Sequence, residues 1–454
     1  MQATGDRGHW NSRLGFVLAA AGSAIGLGNI WRFPYVTGEN GGAAFVVVYL
    51  GCVLLVGLPL LITEIALGRH SRKDPVGAFR FATPRTPFVV TGFICLACCF
   101  FVLSYYSVIA GWTVGYAAAS LTGRPLEFSE FSASPRLVLP LLAGFLLMTV
   151  LIIRRGVERG IERWSKLLMP LLLVLMVVVI VRSLTLEGAM AGVEYYLRPD
   201  FSKIDGGVVL RALGQALFSL SVGWGLMITY GSYLEKTQNI PASAGWIVGA
   251  DTLVALLGGL MVFPAVFALG MQPNQGAALT FHTLPEVFLK MPGGTWVGAA
   301  FFLLLAVAAL TSTISMLEVP VSYLVDEKGM SRNRAAWTVG AAAFVCGIPS
   351  ALSNGAVPWL SEMQFVGATG FLGIMDTIFG TAAILMIALL TSLYVGWVWQ
   401  RSRAIGEVVQ GAPGFTRPWI AGISVAHVWI VFIRFVCPAL ITVVLLQLLG
   451  LKLF

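Results

Sequence analysis

"GSAIGLGNIWRFPY", residues 22–35, decides the reading of this chain. The stretch lies within an apolar run long enough to cross a bilayer. Yet it contains Gly22, Gly26, Gly28, Asn29, Arg32 and Pro34, residues that weaken helices or carry charge. A helix interrupted at mid-membrane exposes amides and carbonyls that lipid cannot satisfy, at several kcal/mol per group, so something polar has to sit in the gap.

Working outward, the 454 residues are 57% hydrophobic and only 11% charged, which excludes a water-soluble domain. Apolar runs of about 20 residues recur along the chain, each able to span about 30 Å of hydrocarbon as a helix. Runs such as "LLLVLMVVVIV" do not alternate, which rules out a transmembrane β-barrel. The expected fold class is an all-α polytopic membrane protein with eleven spans, centred near Leu27, Leu55, Leu103, Leu146, Leu175, Leu220, Leu257, Leu305, Phe344, Ile384 and Val443.

Basic residues cluster after the second, fourth, eighth and tenth spans: Arg69 to Arg85, Arg154 to Lys166, Lys328 to Arg334, and Arg401 to Arg417. The positive-inside rule makes those loops cytoplasmic, with the N-terminus inside and the C-terminus outside a plasma (inner) membrane. The net charge of +8 is explained by this asymmetry, so no nucleic-acid partner is expected. The polar N-terminus leads straight into a full-length span, and no cleaved signal is expected. Cys52, Cys95, Cys98, Cys99, Cys346 and Cys437 all lie in apolar runs and read as small hydrophobes, without disulfides or a metal knuckle.

The sixth span, "GQALFSLSVGWGLMITYGSY", is also broken at mid-depth, by Gly223 and Gly225. Two interrupted spans five apart predict an inverted repeat of five plus five helices. Residues of about 10–185 and 205–400 would form the two copies and about 426–450 an added eleventh span, all in one transporter domain, 1–454. A single glycine in such a span more often serves helix packing, and Gly68 and Gly259 are read that way.

"GSAIGLGNIWRFPYVTGENGGAAF", "LFSLSVGWGLMITYGSY" and "ALTSTISMLEVPVSYLVDE" resemble the first, sixth and eighth helices of the neurotransmitter:sodium symporter family, and the similarity covers nearly the whole chain. Broken helices around a shared ion and solute site are that family's known device. The resemblance implies a sodium-coupled amino-acid symporter, not an enzyme. It implies two sodium sites, one of Ala24, Asn29, Ser219 and Asp251, the other of Gly22, Ile25, Ala308, Thr311 and Ser312. Where animal members carry Asn, this chain has Asp251, and Ala255 stands where a chloride-holding Ser is common. A fixed carboxylate replaces the anion, so chloride-independent transport is expected, with Tyr49 and Gln215 left as structural hydrogen-bonding groups.

By the same resemblance, Gly26 leaves room for a substrate carboxylate where monoamine carriers have Asp, and Tyr106 would bind that carboxylate. Ala24, Gly28, Val102, Phe218, Ser219, Ser221, Trp224, Ser312 and Met316 would complete the pocket. Trp224 shrinks it, favouring a glycine- or alanine-like substrate over larger hydrophobic amino acids, although one methylene changes discrimination by only ~1–3 kcal/mol. Arg32 with Asp376 would gate the outside above Tyr106 and Phe218; Arg7 with Asp326, supported by Tyr233 and plugged by Trp10, would gate the inside. Glu64 and Glu318 read as hydrogen-bonded structural carboxylates, with proton coupling on the same fold as the rival mechanism. The scattered His9, His70, His282 and His427 give no enzyme-like cluster, and there is no phosphate loop to couple ATP. The bilayer and the amino acid are the expected partners, and the sequence leaves an obligate protein partner open.

Overall fold

The computed structural model describes residues 8–83, 86–123, 126–271, 281–282, 284–290, 292–365, 367–420, 422–448 and 450–451. Among them, nine helices are long and apolar enough to cross a membrane: Ala43–Ser71, Val89–Thr122, Pro135–Ile153, Val157–Leu184, Ile240–Ala268, Gly294–Asp326, Arg332–Leu352, Phe371–Val398 and Val425–Leu448. These coincide with the expected spans 2–5 and 7–11 and are called by those numbers below. A bent pair, Arg13–Ala24 with Gly28–Glu39, crosses at 49° and brings the total to ten. The sixth expected span is divided into helices Gly206–Ser219 and Leu226–Gly231. Neither piece alone meets the length of a span, because the unwound stretch between them takes up the middle.

The breaks fall where the sequence weakens the helix. The first helix starts on a cap, with the Ser12 side chain accepting from the Gly15 amide, and stops at Ile25, whose ψ of 95° is extended. In the divided segment, Ser221 has a φ of +52° and Gly223 one of +84°, a left-handed turn that no continuing helix can hold.

Spans 3 and 8 pack most extensively against each other and form the middle of the molecule. Some 83% of the most apolar window of span 8 is buried, against 33% for span 11, which lies at the edge. Outside the spans, helix Pro75–Ala82 is capped by Asp74, whose Oδ1 accepts from the Val76 and Gly77 amides at 2.9 and 3.3 Å. A second short helix, Arg401–Val409, follows span 10. It is tied to the end of span 2 by the fully buried Arg69, whose Nε donates to Glu407 Oε1 at 2.7 Å and whose Nη1 donates to the Gln238 carbonyl at 2.6 Å.

Gly68 and Gly231 let span 2 and the 226–231 helix touch backbone to backbone. A Cβ on Gly68 would run into the Ile228 carbonyl, and one on Gly231 would stand 2.6 Å from the Ile65 carbonyl. Neither neighbour is a flexible side chain that could move aside. Gly68→Ala should therefore destabilise the protein by ~1–3 kcal/mol and lower its melting temperature in detergent. Gly51→Ala, in a position with nothing within 4 Å, should leave melting unchanged.

Candidate functional site

The two breaks face each other and are laced together by side chains. Gln215 Nε2 donates to the Gly28 carbonyl at 2.9 Å, and Ser221 Oγ donates to the Ser23 carbonyl at 2.9 Å. Span 7 closes against them at Gly258, where a Cβ would stand 2.7 Å from the Asn29 carbonyl.

At this junction Asn29 Nδ2 lies 2.7 Å from Asp251 Oδ1 and 3.0 Å from Ser219 Oγ, while Asn29 Oδ1 accepts from the Gly26 amide at 3.1 Å. Ser219 Oγ lies 3.1 and 2.9 Å from the two Asp251 oxygens, and the Tyr49 hydroxyl donates to Ser219 Oγ at 3.3 Å. Asp251 is fully buried, and among the described residues it takes part in no ion pair. A carboxylate sealed from water with no cationic side chain beside it is neutralised either by a proton or by a cation from outside the chain. A half-turn of the Asn29 amide would present its oxygen to that cation together with those of Ser219 and Asp251.

The second predicted oxygen cluster assembles between span 8 and the first break. Thr311 Oγ1 donates to the Ala308 carbonyl at 2.8 Å and reaches the Ile25 carbonyl at 3.4 Å. Ser312 Oγ lies 3.3 Å from the Ala308 carbonyl and 3.2 Å from that of Ser23. Both hydroxyls thus bond back to their own helix and also face the broken one. Gly22 sits against the same wall, its absent Cβ 3.5 Å from that of Thr311. Neutral carbonyls and hydroxyls of this kind suit a hard monovalent cation.

Gly26 has no room for a side chain: a Cβ there would be 2.5 Å from Ser312 Oγ and 2.9 Å from the Tyr106 hydroxyl. The Leu27 amide donates to Tyr106 at 3.0 Å, so an N–H outside the helical ladder, at the start of a half-helix, and a phenol meet at one point. Leu27 was missed by reading side chains, since its contribution is main chain. Phe218 and Trp224 stack edge to face 5.5 Å apart, and Val102, Ser221, Trp224 and Met316 are all buried. The Trp224 indole nitrogen is buried without a partner among the described residues, and the Trp224 carbonyl accepts from Cys99 Sγ at 3.1 Å.

The gates differ from expectation. Arg32 and Asp376 do not form an ion pair in this structure: Arg32 lies over the Phe218 ring, 4.6 Å from its centroid, and Asp376 Oδ1 accepts from the Tyr105 hydroxyl at 2.8 Å. Each charge has found a neutral partner in place of the other. On the opposite side, Arg7 lies outside the described residues. Trp10 is buried, donates through Nε1 to the Tyr230 carbonyl at 3.0 Å, and meets the rings of Tyr230 and Tyr233 edge-on, which closes that path by packing. The Tyr233 hydroxyl donates to Glu318 Oε1 at 2.6 Å, and Glu318 Oε2 also pairs with Arg332, which the sequence reading took only as a topology charge. Glu64, also fully buried, accepts from the Gly223 amide at 2.7 Å and so holds the second break open from behind.

This geometry has close counterparts. The profile of the Sodium:neurotransmitter symporter family matches residues 7–135 and 126–452, together nearly the whole chain. The chain belongs to that family. Like other symporters it is a sodium-dependent transporter and not an enzyme. It is 41% identical, over 98% of both chains, to the uncharacterized sodium-dependent transporter YhdH of Bacillus subtilis. It is 29% identical over 60% of this chain, and 42% of the relative, to the sodium-dependent neutral amino acid transporter SLC6A17 of Mus musculus. The crystal structure of MhsT in complex with L-phenylalanine superimposes with a TM-score of 0.88 at 42% identity, covering 97% of this symporter and all of MhsT.

At the end of span 8, Asp326 accepts through Oδ2 from the Asp74 amide at 3.0 Å, while Asp74 Oδ2 is buried without a hydrogen-bond partner among the described residues. Burial, reinforced by the neighbouring Asp326, pushes the Asp74 carboxyl up to about 6. The folded form therefore prefers the proton. The penalty is absent below the ordinary carboxyl value of ~4, grows as pH rises, and is complete above the raised value. Asp74→Asn keeps the cap oxygen and removes the charge, so thermal melting followed from pH 4 to 7.5 should show the variant more stable than the parent at pH 7.5. The advantage should vanish toward pH 4.

Proposed function

We propose that this symporter imports a small neutral amino acid, glycine- or alanine-like, together with sodium and without chloride. The observation that carries the reading is Asp251, a fully buried carboxylate held by Asn29 and Ser219 beside two half-helix ends. One sodium would be held there by Ala24, Asn29, Ser219, Asp251 and the substrate carboxylate. A second would be held by Gly22, Ile25, Ala308, Thr311 and Ser312. The substrate carboxylate would accept from the Leu27 and Gly28 amides and from Tyr106. Because it is also a sodium ligand, each solute raises the affinity of the other by the same factor. The fixed negative charge of Asp251 removes the need for chloride, and the other chloride-site positions already have structural bonds, Tyr49 to Ser219 and Gln215 to Gly28.

The architecture in this reading is one domain over residues 1–454 with eleven spans, built as an inverted repeat over about 10–185 and 205–400 with an added span at about 426–450. The N-terminus is cytoplasmic and the C-terminus external at the plasma membrane. Transport follows alternating access. Arg32 and Asp376 approach to shut the outside above Phe218, and the Arg7, Trp10, Tyr233 and Asp326 set parts to open the inside.

The phenylalanine bound by MhsT favours one alternative, a sodium symporter for larger hydrophobic amino acids. Uptake of the twenty amino acids into proteoliposomes separates the readings. A sodium gradient should drive accumulation of glycine or alanine, and gluconate in place of chloride should leave the rate unchanged. Asp251→Asn should lower sodium-driven uptake at least ~10-fold, the direction expected when a buried charge partner is removed. Uptake that survives without sodium and follows a pH gradient would instead establish proton coupling. Trp224→Phe should shift preference toward larger side chains by ~10-fold, within the range for a resized apolar pocket. A parent protein that already prefers phenylalanine would overturn the small-substrate reading.

A further inference from the structure

We propose that the lipid-facing junction of spans 10 and 11 is a binding site for the phosphate of an anionic phospholipid, with Arg434 as its principal ligand. Arg434 lies within span 11, not in a loop, so it is no part of the basic clusters that set topology. Its guanidinium carbon stands 4.0 Å from the centroid of Trp397 and 5.6 Å from that of Phe435. Both rings are about half exposed, at 54% and 53%, on a surface that faces lipid. Among the described residues Arg434 takes part in no ion pair, and its Nε is buried without a hydrogen-bond partner.

The site is built rather than incidental. Gly396 lets the two spans approach until a Cβ there would be 3.0 Å from the Arg434 Cα. Pro438 has no N–H to offer the Arg434 carbonyl, and the Trp397 indole donates to that carbonyl instead, at 3.1 Å. Trp397 is thus fixed from two sides, by its hydrogen bond and by the cation above its face. It stands next to the end of span 10, the level at which Trp belts mark the membrane interface.

The neighbouring charges have the same sign. Exposed Arg401 lies 3.1 Å through Nη2 from Nδ1 of exposed His427, and Arg403 and Arg417 are exposed as well. The one carboxylate between Trp397 and Arg434 in sequence, Glu407, is buried and taken by Arg69 and His70. A guanidinium at this depth with only aromatic faces for company is costly, and a phosphate accepting its parallel N–H groups removes that cost. Exposed Phe435 and Leu440, further into span 11 than Arg434, continue the surface as a track for an acyl chain, which a soluble phosphate could not use.

The test is native mass spectrometry of the full-length protein with added phosphatidylglycerol or phosphatidylcholine. Arg434→Gln should weaken retention of phosphatidylglycerol by at least ~10-fold and leave phosphatidylcholine unchanged, as loss of a bidentate phosphate contact requires. Arg155→Gln, which removes an equal charge from another exposed basic loop, should bind as the parent does. Arg434→Lys and Trp397→Leu should each fall between, and they serve if Arg434→Gln does not fold. Equal retention by Arg434→Gln and the parent, or an equal loss with Arg155→Gln, would overturn the proposal. So would displacement of the lipid by millimolar glycerol phosphate, or a change confined to oligomeric state, which would mark the face as a contact between copies of the chain.

Discussion

Asp251 is the constraint around which the centre of the molecule is arranged. Its carboxylate is sealed at the meeting point of two interrupted helices, with Asn29 and Ser219 on its oxygens and no cationic side chain among the described residues. An ion pair inside the chain would have discharged it permanently. Leaving it without one keeps the carboxylate available to a solute cation in the proposed transport cycle, which a structural salt bridge would forbid. The carbonyls and amides of the two breaks stand beside it, so in the proposed cycle the same solutes would meet both charge neutralisation and main-chain satisfaction.

The surroundings keep those breaks open when nothing is bound. Glu64 takes the Gly223 amide, Gln215 takes the Gly28 carbonyl, and Ser221 and Ser312 share the Ser23 carbonyl. Each contact satisfies one group that would otherwise rebuild a helix or stand bare in an apolar interior. The scaffold behind them is well packed, since spans 3 and 8 are the most buried of the nine spanning helices among the described residues. The paths to either side are closed in different ways. One relies on Trp10 wedged among Tyr230, Tyr233 and Phe16. The other has Arg32 lying over Phe218, with its expected partner Asp376 bonded to Tyr105. Two charges that each rest on a neutral neighbour, as the proposed gate would need, can pair by exchanging partners without breaking a strong pair first.

Much of this was legible in the linear sequence because membrane folding leaves so few options. Apolar runs had to be helices, and nine of the expected eleven appear as single unbroken helices among the described residues. The glycines at 26, 28, 223 and 225 marked both breaks, since nothing in packing called for polar groups beside them. Asp251, Thr311 and Ser312 were recognisable as costly groups at mid-span, so the oxygen clusters could be placed by residue type and resemblance. Harder to read were contributions without a side-chain signature. The Leu27 amide at Tyr106 is invisible to composition, and Arg332 resembled every other loop arginine until span 8 brought Glu318 within reach.

The sequence by itself determined that the chain crosses a membrane as helices, where two of them fail, and which oxygen-bearing residues stand at those failures. Propensity and the absence of water in lipid act locally, so they can be read one segment at a time. Only the tertiary structure decided which charge meets which: Asp376 with Tyr105 and not Arg32, Glu318 with Arg332, and Arg434 with two aromatic faces and, among the described residues, no acid. Those pairings depend on how separate helices are rotated against one another, and side chains from different helices acquire a common neighbourhood only once the bundle has packed.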